Sequence, residues 1–88
     1  MPKISIITVT YNAEKHLSRC ISSVIEQKNV DLEYIIIDGG SSDGTLEILD
    51  SFEKYIDYRV SEKDNGIYDA LNKGLKVAKG DIIGFLHA

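Results

Sequence analysis

Asp38 closes an almost wholly apolar run, Leu32 to Ile37, and is followed at once by Gly39-Gly40-Ser41-Ser42-Asp43-Gly44-Thr45. An ionised carboxylate is an acceptor with no donor of its own. At the end of such a run it suits the imide N–H of a uracil, or a ribose hydroxyl. It equally suits a cap for the turn that follows. Asp43 is better placed for capping, which leaves Asp38 for a ligand. Tyr11 holds the matching place after Ile4 to Val9. Its ring either lies flat under a base, a contact worth roughly 1–3 kcal/mol, or packs on the next helix. Thr8 and Thr10 alternate with Val9, so one hydroxyl is expected to reach the ligand and the other the core.

Gly39, Gly40 and Gly44 allow a tight turn and close approach of the backbone to a ligand. They do not form a G-x-G-x-x-G pattern, and Tyr11-Asn12 rather than glycines follows the first run. That argues against a dinucleotide fold in its usual form. The densest polar cluster is Asp64-Asn65-Gly66-Ile67-Tyr68-Asp69-Ala70-Leu71-Asn72-Lys73-Gly74. Asp69 and Lys73 have the spacing of a surface ion pair on a helix. Asp69 and Asn72 share a face that suits a ribose or a phosphate, although composition alone favours a solvated face. His87 has no ligating partner at close spacing, so a zinc site is not expected. No Ser-His-Asp or Cys-His arrangement is present to argue for nucleophilic catalysis.

These residues need an alternating scaffold to bring them together. Ile4 to Val9 is β-branched and nearly continuous, the pattern of a strand buried on both faces. Asn12 is a candidate N-cap, and Leu17, Cys20, Ile21, Val24 and Ile25 recur at helical spacing. Leu32 to Ile37 is a second strand. Ser42 or Asp43 caps a helix carrying Leu46, Leu49 and Phe52. Tyr55 to Val60 is a third strand, and Asn65-Gly66 a turn. Ile67, Ala70, Leu71, Leu75 and Ala78 make a third helical stripe, with Gly80 at its C-terminal end in a left-handed conformation. Asp81 to Leu86 is a fourth strand. The order predicts one α/β domain over residues 1–88: a Rossmann-like, mostly parallel sheet of order 3-2-1-4 with helices on both faces. Ligands of such sheets bind beyond the carboxyl ends of the strands, where strand order reverses. That rule selects the loops after strands one, two and four.

Composition narrows the partners. The chain has 88 residues, 43% hydrophobic and 27% charged, and a net charge of −4 with scattered Lys and Arg. No basic patch invites nucleic acid. Cys20 is the single cysteine, which suits a reducing cytoplasm. No stretch is long enough to span a membrane.

Four segments in series resemble the N-terminal part of a family 2 glycosyltransferase with the GT-A fold, of the kind found in bacterial capsule, exopolysaccharide and O-antigen synthesis. They are Ile4 to Asn12, Asp38 to Thr45, Asp64 to Gly74 and Gly80 to Leu86. The resemblance implies that Tyr11 stacks on the nucleotide base, with Thr8, Thr10 and Asn12 lining its pocket. Asp38 matches the first acidic position of the strand-two motif; many relatives carry a second Asp where this chain has Gly39. Asp64, Asp69 and Asn72 match a segment near the donor ribose and diphosphate. A D-x-D-type motif for Mg²⁺ or Mn²⁺ is expected directly after strand four, with His87-Ala88 in its first two places. A histidine there is unusual, because these ions prefer oxygen ligands. The implied activity is inverting sugar transfer from a nucleotide-diphosphate donor, a UDP-sugar first, to a saccharide or lipid-linked acceptor. The enzyme is expected in the cytoplasm, at the inner face of the membrane. The 88 residues are expected to bind the nucleotide without catalysing transfer, and to form a homodimer through strand four. The rival readings are a non-catalytic binding or structural fragment, and a receiver-like signalling domain. The latter needs an acidic pair near strand one that Thr10-Tyr11-Asn12 does not offer.

Overall fold

The computed structural model describes residues 2–27 and 30–88. Four strands, β1 (Lys3–Thr10), β2 (Asp31–Asp38), β3 (Tyr58–Ser61) and β4 (Ile82–His87), alternate with three helices, α1 (Leu17–Ile25), α2 (Thr45–Ser51) and α3 (Ile67–Val77). The sheet has order β3-β2-β1-β4, and every pairing is parallel. This is the expected architecture. The third strand is shorter than expected: a 3-10 turn, Glu53–Tyr55, takes up its start.

Period-two alternation divides the core. Tyr34 and Ile36 of β2 face α1 and α2, together with Leu17, Ile21, Val24 and Leu49. Ile35 and Ile37 face α3, packing with Ile7, Val9 and Ala70. Each inner strand therefore feeds two cores, which is why apolar residues fall on both of its faces. The α3 contact is close: a Cβ on Gly74 would lie 2.5 Å from Cγ2 of Ile7.

Gly80 departs from its expected role. It is not left-handed, and α3 ends at Ala78 in extended conformation. Its N–H donates to Oγ of Ser5 at 2.8 Å. A Cβ on Gly80 would stand 2.7 Å from the Ser5 nitrogen and 2.9 Å from the Lys3 carbonyl oxygen. Glycine is required there by proximity to β1.

β4 is an edge strand. Ile82, Ile83, Phe85 and Leu86 are exposed on both of its faces. Among the described residues no helix is long and apolar enough to cross a membrane.

Candidate functional site

Register brings the polar strand ends into one row. Thr10 pairs with Asp38, and Asp38 with Ser61, across three adjacent strands. The side chains then bond as the backbone places them. Oδ1 of Asp38 accepts from Oγ1 of Thr10 and from Oγ of Ser41, each at 2.6 Å. Oδ2 accepts from the Ser61 hydroxyl and from the backbone N–H groups of Gly40 and Ser41. Asp38 is fully buried. Burial alone would raise its pKa; the Ser41, Thr10 and Ser61 donors outweigh that and hold it below the usual carboxylate value.

Asp38 is therefore not free for a ligand. Its carboxylate organises the turn that follows β2 and ties it to β1 and β3. The N-cap position of α2 is Gly44, not Ser42 or Asp43, although Asp43, one residue earlier, accepts the Thr45 N–H at 2.9 Å. That bond and the Asp38 network coexist, so Asp43 does not release Asp38.

The threonine expectation also fails. Residues two apart on a strand share a face, so Thr8 and Thr10 both point toward the α1 and α2 side. Thr8 donates to the hydroxyl of buried Tyr34 at 3.1 Å. Burial pushes that phenol up to about 12. Both threonines are buried, and neither hydroxyl is free.

Asn12 does not cap α1, which starts five residues later at Leu17. It adopts φ +46°, the left-handed region that Asn tolerates. Its Oδ1 accepts the Ser42 N–H, and its own N–H donates to Oγ of Ser41, both at 2.8 Å. Asn12 thus fastens the loop after β1 to the loop after β2.

Between these fastened loops lies a cleft of about 500 Å³, lined by residues that follow all four strands. Tyr11 follows β1, Gly39 and Gly40 follow β2, and Lys63 and Asp64 follow β3, while His87 ends β4. Ile67 and Ala70 of α3 close one side. Tyr11 is 63% exposed, so its ring does not pack into a core and offers a face to the cleft. The carboxylate of Asp64 lies over Gly39: a Cβ there would be 3.1 Å from Oδ2 of Asp64.

Of the residues singled out in the sequence, Thr10, Tyr11, Gly39, Asp64 and His87 line the cleft. Thr8, Asn12, Asp38, Asp69 and Asn72 do not line the cleft. Asp69 accepts the Asn65 N–H and lies 3.7 Å from Lys73, the surface pair its spacing suggested. Lys73 also reaches Glu62 at 3.2 Å, so it braces the loop that carries Lys63 and Asp64. Lys63, Gly66, Ile67 and Ala70 were missed. The switch-point rule selects the loops after strands one, two and four and passes over the loop after β3, where Asp64 alone was singled out.

Among the described residues no three His, Cys, Asp or Glu side chains gather into a metal centre. Among the described residues, Asp64 and His87 are the carboxylate and imidazole that line the cleft. That donor set does not fit Mg²⁺ or Mn²⁺, which ask for several oxygen ligands.

Comparison with known proteins extends this geometry. Uncharacterized glycosyltransferase Rv1514c of Mycobacterium tuberculosis is 41% identical over 88 residues, covering 99% of this chain and 34% of that protein. TuaG of Bacillus subtilis, named for teichuronic acid biosynthesis, is 39% identical over 89 residues, covering 97% of this chain and 35% of its own. The chain therefore spans about a third of the length of the curated relatives it matches. Among solved structures, Staphylococcus aureus TarS in complex with UDP-GlcNAc superposes with a TM-score of 0.85 at 27% identity, over 97% of this chain and 26% of that one. The mannosyltransferase PcManGT of Pyrobaculum calidifontis, in complex with GDP-Man and Mn²⁺, gives 0.84 at 27% identity, over 93% of this chain and 26% of that one. Residues 5–88 match the family described as Glycosyl transferase family 2, and the chain belongs to that family.

Proposed function

We propose that these residues bind the nucleotide of a sugar donor, within an enzyme that transfers the sugar to a saccharide or lipid-linked acceptor in cell-surface polysaccharide synthesis. The observation that carries this reading is the cleft at the carboxyl ends of the parallel strands, with an exposed tyrosine among its lining residues. Open α/β sheets bind their ligands there. TarS is solved with UDP-GlcNAc and PcManGT with GDP-Man, and both share the fold. A base stacks on Tyr11, and the Gly39-Gly40 backbone leaves room for it. The uridine nucleotide is the first candidate. In the whole enzyme we expect inverting transfer supported by Mg²⁺ or Mn²⁺. No step is assigned to a metal here, because the donor set at this cleft does not fit one. We assign the proton transfer to none of these residues.

NMR titration of the chain with UDP tests the reading. Amide shifts concentrated at Tyr11, Gly39, Gly40 and Asp64 are expected, and shifts scattered elsewhere would contradict it. Tyr11→Ala should weaken binding by roughly 1–3 kcal/mol, the worth of one base–aromatic stack.

A second reading is a nucleotide-binding chain without transfer of its own; among the described residues no three His, Cys, Asp or Glu side chains gather. Incubating the purified 88 residues with UDP-sugars and Mn²⁺ should then release no UDP beyond the protein-free control. Sustained release would overturn this reading.

A further inference from the structure

We infer that the chain forms a two-fold symmetric dimer by antiparallel pairing of β4 with β4 of a second copy, the axis passing between the two Gly84 residues.

The two edges of the sheet are built differently. β3 pairs over four residues, and its Arg59 is anchored to Asp50 at 2.7 Å. A short edge strand carrying a charge resists further pairing. β4 pairs over six residues, Ile82 to His87, with no Pro, Lys, Arg or acidic residue among them. Among the described residues nothing pairs with its outer side. Ile82, Ile83, Phe85 and Leu86 are all exposed. The Ala88 N–H donates to the Val9 carbonyl oxygen at 3.2 Å. Backbone groups alternate in direction along a strand. Gly84 and Leu86 therefore turn theirs to β1, while Ile83 and Phe85 turn theirs outward.

Symmetry limits how a second copy meets this edge. A two-fold axis that exchanges antiparallel strands runs perpendicular to the sheet, so each face continues into the same face of the other copy. Ile83 and Phe85 are in register with Ser5 and Ile7, on the α3 face; Ile82 and Leu86 are in register with Ile4 and Thr8, on the other. Odd residues must then meet odd, and even meet even. Around Gly84 the sequence reads the same in both directions by chemistry: acid, two apolar, glycine, two apolar, histidine, from Asp81 to His87. Centred there, Ile83 stands opposite Phe85 of the second copy, and Ile82 opposite Leu86. Every exposed apolar side chain of the strand gains an apolar cross-strand partner, and Ile83 and Phe85 exchange their outward hydrogen bonds. Gly84 takes the non-hydrogen-bonded position on the axis, where Cα atoms approach to about 4.5 Å. Asp81, one residue before β4, falls level with His87 of the second copy, a carboxylate acceptor beside an imidazole donor at each end. Centring on Phe85 instead would set Ile83 against His87 and Leu86 against Gly84. His87 lines the cleft, so pairing also brings Asp81 of the second copy to the cleft rim.

Sedimentation of the purified 88-residue chain over a dilution series should show an apparent mass rising from one copy to two. Phe85→Lys places a lysine on the edge, which blocks pairing, and should stay monomeric throughout. The register is read by oxidation in a Cys20→Ser background, where the introduced thiols are the only ones. Gly84→Cys should yield a disulfide-linked dimer, because the axial pair falls within the Cα range of a disulfide; Phe85→Cys should not. Since a side chain at residue 84 must displace Cδ1 of Ile6, a mixture of Ile82→Cys and Leu86→Cys chains gives a second reading. It should link the two variants to each other and neither to itself. A monomer at every concentration, or linkage by Phe85→Cys with none in the mixture, would overturn the inference.

Discussion

Asp38→Ala is expected to cost about 3–5 kcal/mol of folding stability, a large part of what a domain of this size has. The substitution removes the acceptor of five hydrogen bonds at once, from Thr10, Gly40, the Ser41 N–H, the Ser41 hydroxyl and Ser61. Those donors sit beneath the turn, where unmet groups cost about 1–3 kcal/mol each, less whatever water recovers. Asp38→Asn keeps one acceptor oxygen and should lose less. Urea unfolding followed by circular dichroism reads the difference. A midpoint within about 0.3 M of the parent for Asp38→Ala, at a typical urea slope of 1–3 kcal/mol/M, would remove the network from its assigned role. The same residue predicts the acid limb. Its folded pKa is depressed by its donors, below the ~3.9 of an unfolded aspartate. Its stabilising effect is therefore complete above about pH 4 and fades as pH falls through the folded value. Asp38→Asn should flatten that part of the stability–pH curve.

Gly80→Ala should be nearly as damaging, about 3 kcal/mol, at the upper end for overpacking. The added methyl meets Oγ of Ser5 first and then backbone, the Ser5 nitrogen and the Lys3 carbonyl oxygen, which cannot swing aside. Either β1 or the segment entering β4 must move. Movement there threatens the Gly80 N–H bond to Ser5 and the pair of bonds joining Lys3 and Asp81. Amide exchange gives the sharpest reading: protection should fall first in β4 and on the β4 side of β1. Unchanged protection in Gly80→Ala would show that the contact relaxes freely.

The fold was legible because each inner strand carries a run of β-branched and other apolar residues and each crossover helix a clear stripe. Parallel pairing and order followed from that alternation. The cleft was legible in part. Tyr11 and Asp64 stand at element ends and are named by position alone. Asp38 was misassigned because its meaning lies in register: nothing local says that Thr10 and Ser61 will stand on either side of it. The threonine pair was misread against the two-residue period of a strand. Gly80 was legible as a special position but not for its reason, since proximity to β1 depends on a partner 75 residues away. Lys63 was overlooked because one lysine in a polar loop has no pattern.

β1 sits between a neighbour made soon after it, β2, and one made much later, β4. Its first residue is tied to Asp81 across 78 positions, by the Lys3 N–H at 3.0 Å and the Asp81 N–H at 2.7 Å. During synthesis at roughly 5–20 residues per second, β1 therefore waits roughly 4–15 s with one backbone edge unmatched. With every pairing parallel, no hairpin is available to protect it, and non-local pairing is slow to nucleate. In that interval an inner, β-branched strand is open to any extended segment of a neighbouring chain. The late arrival of β4 sets the hazard, so slowing translation between α3 and β4 should raise aggregation while leaving the finished fold unchanged.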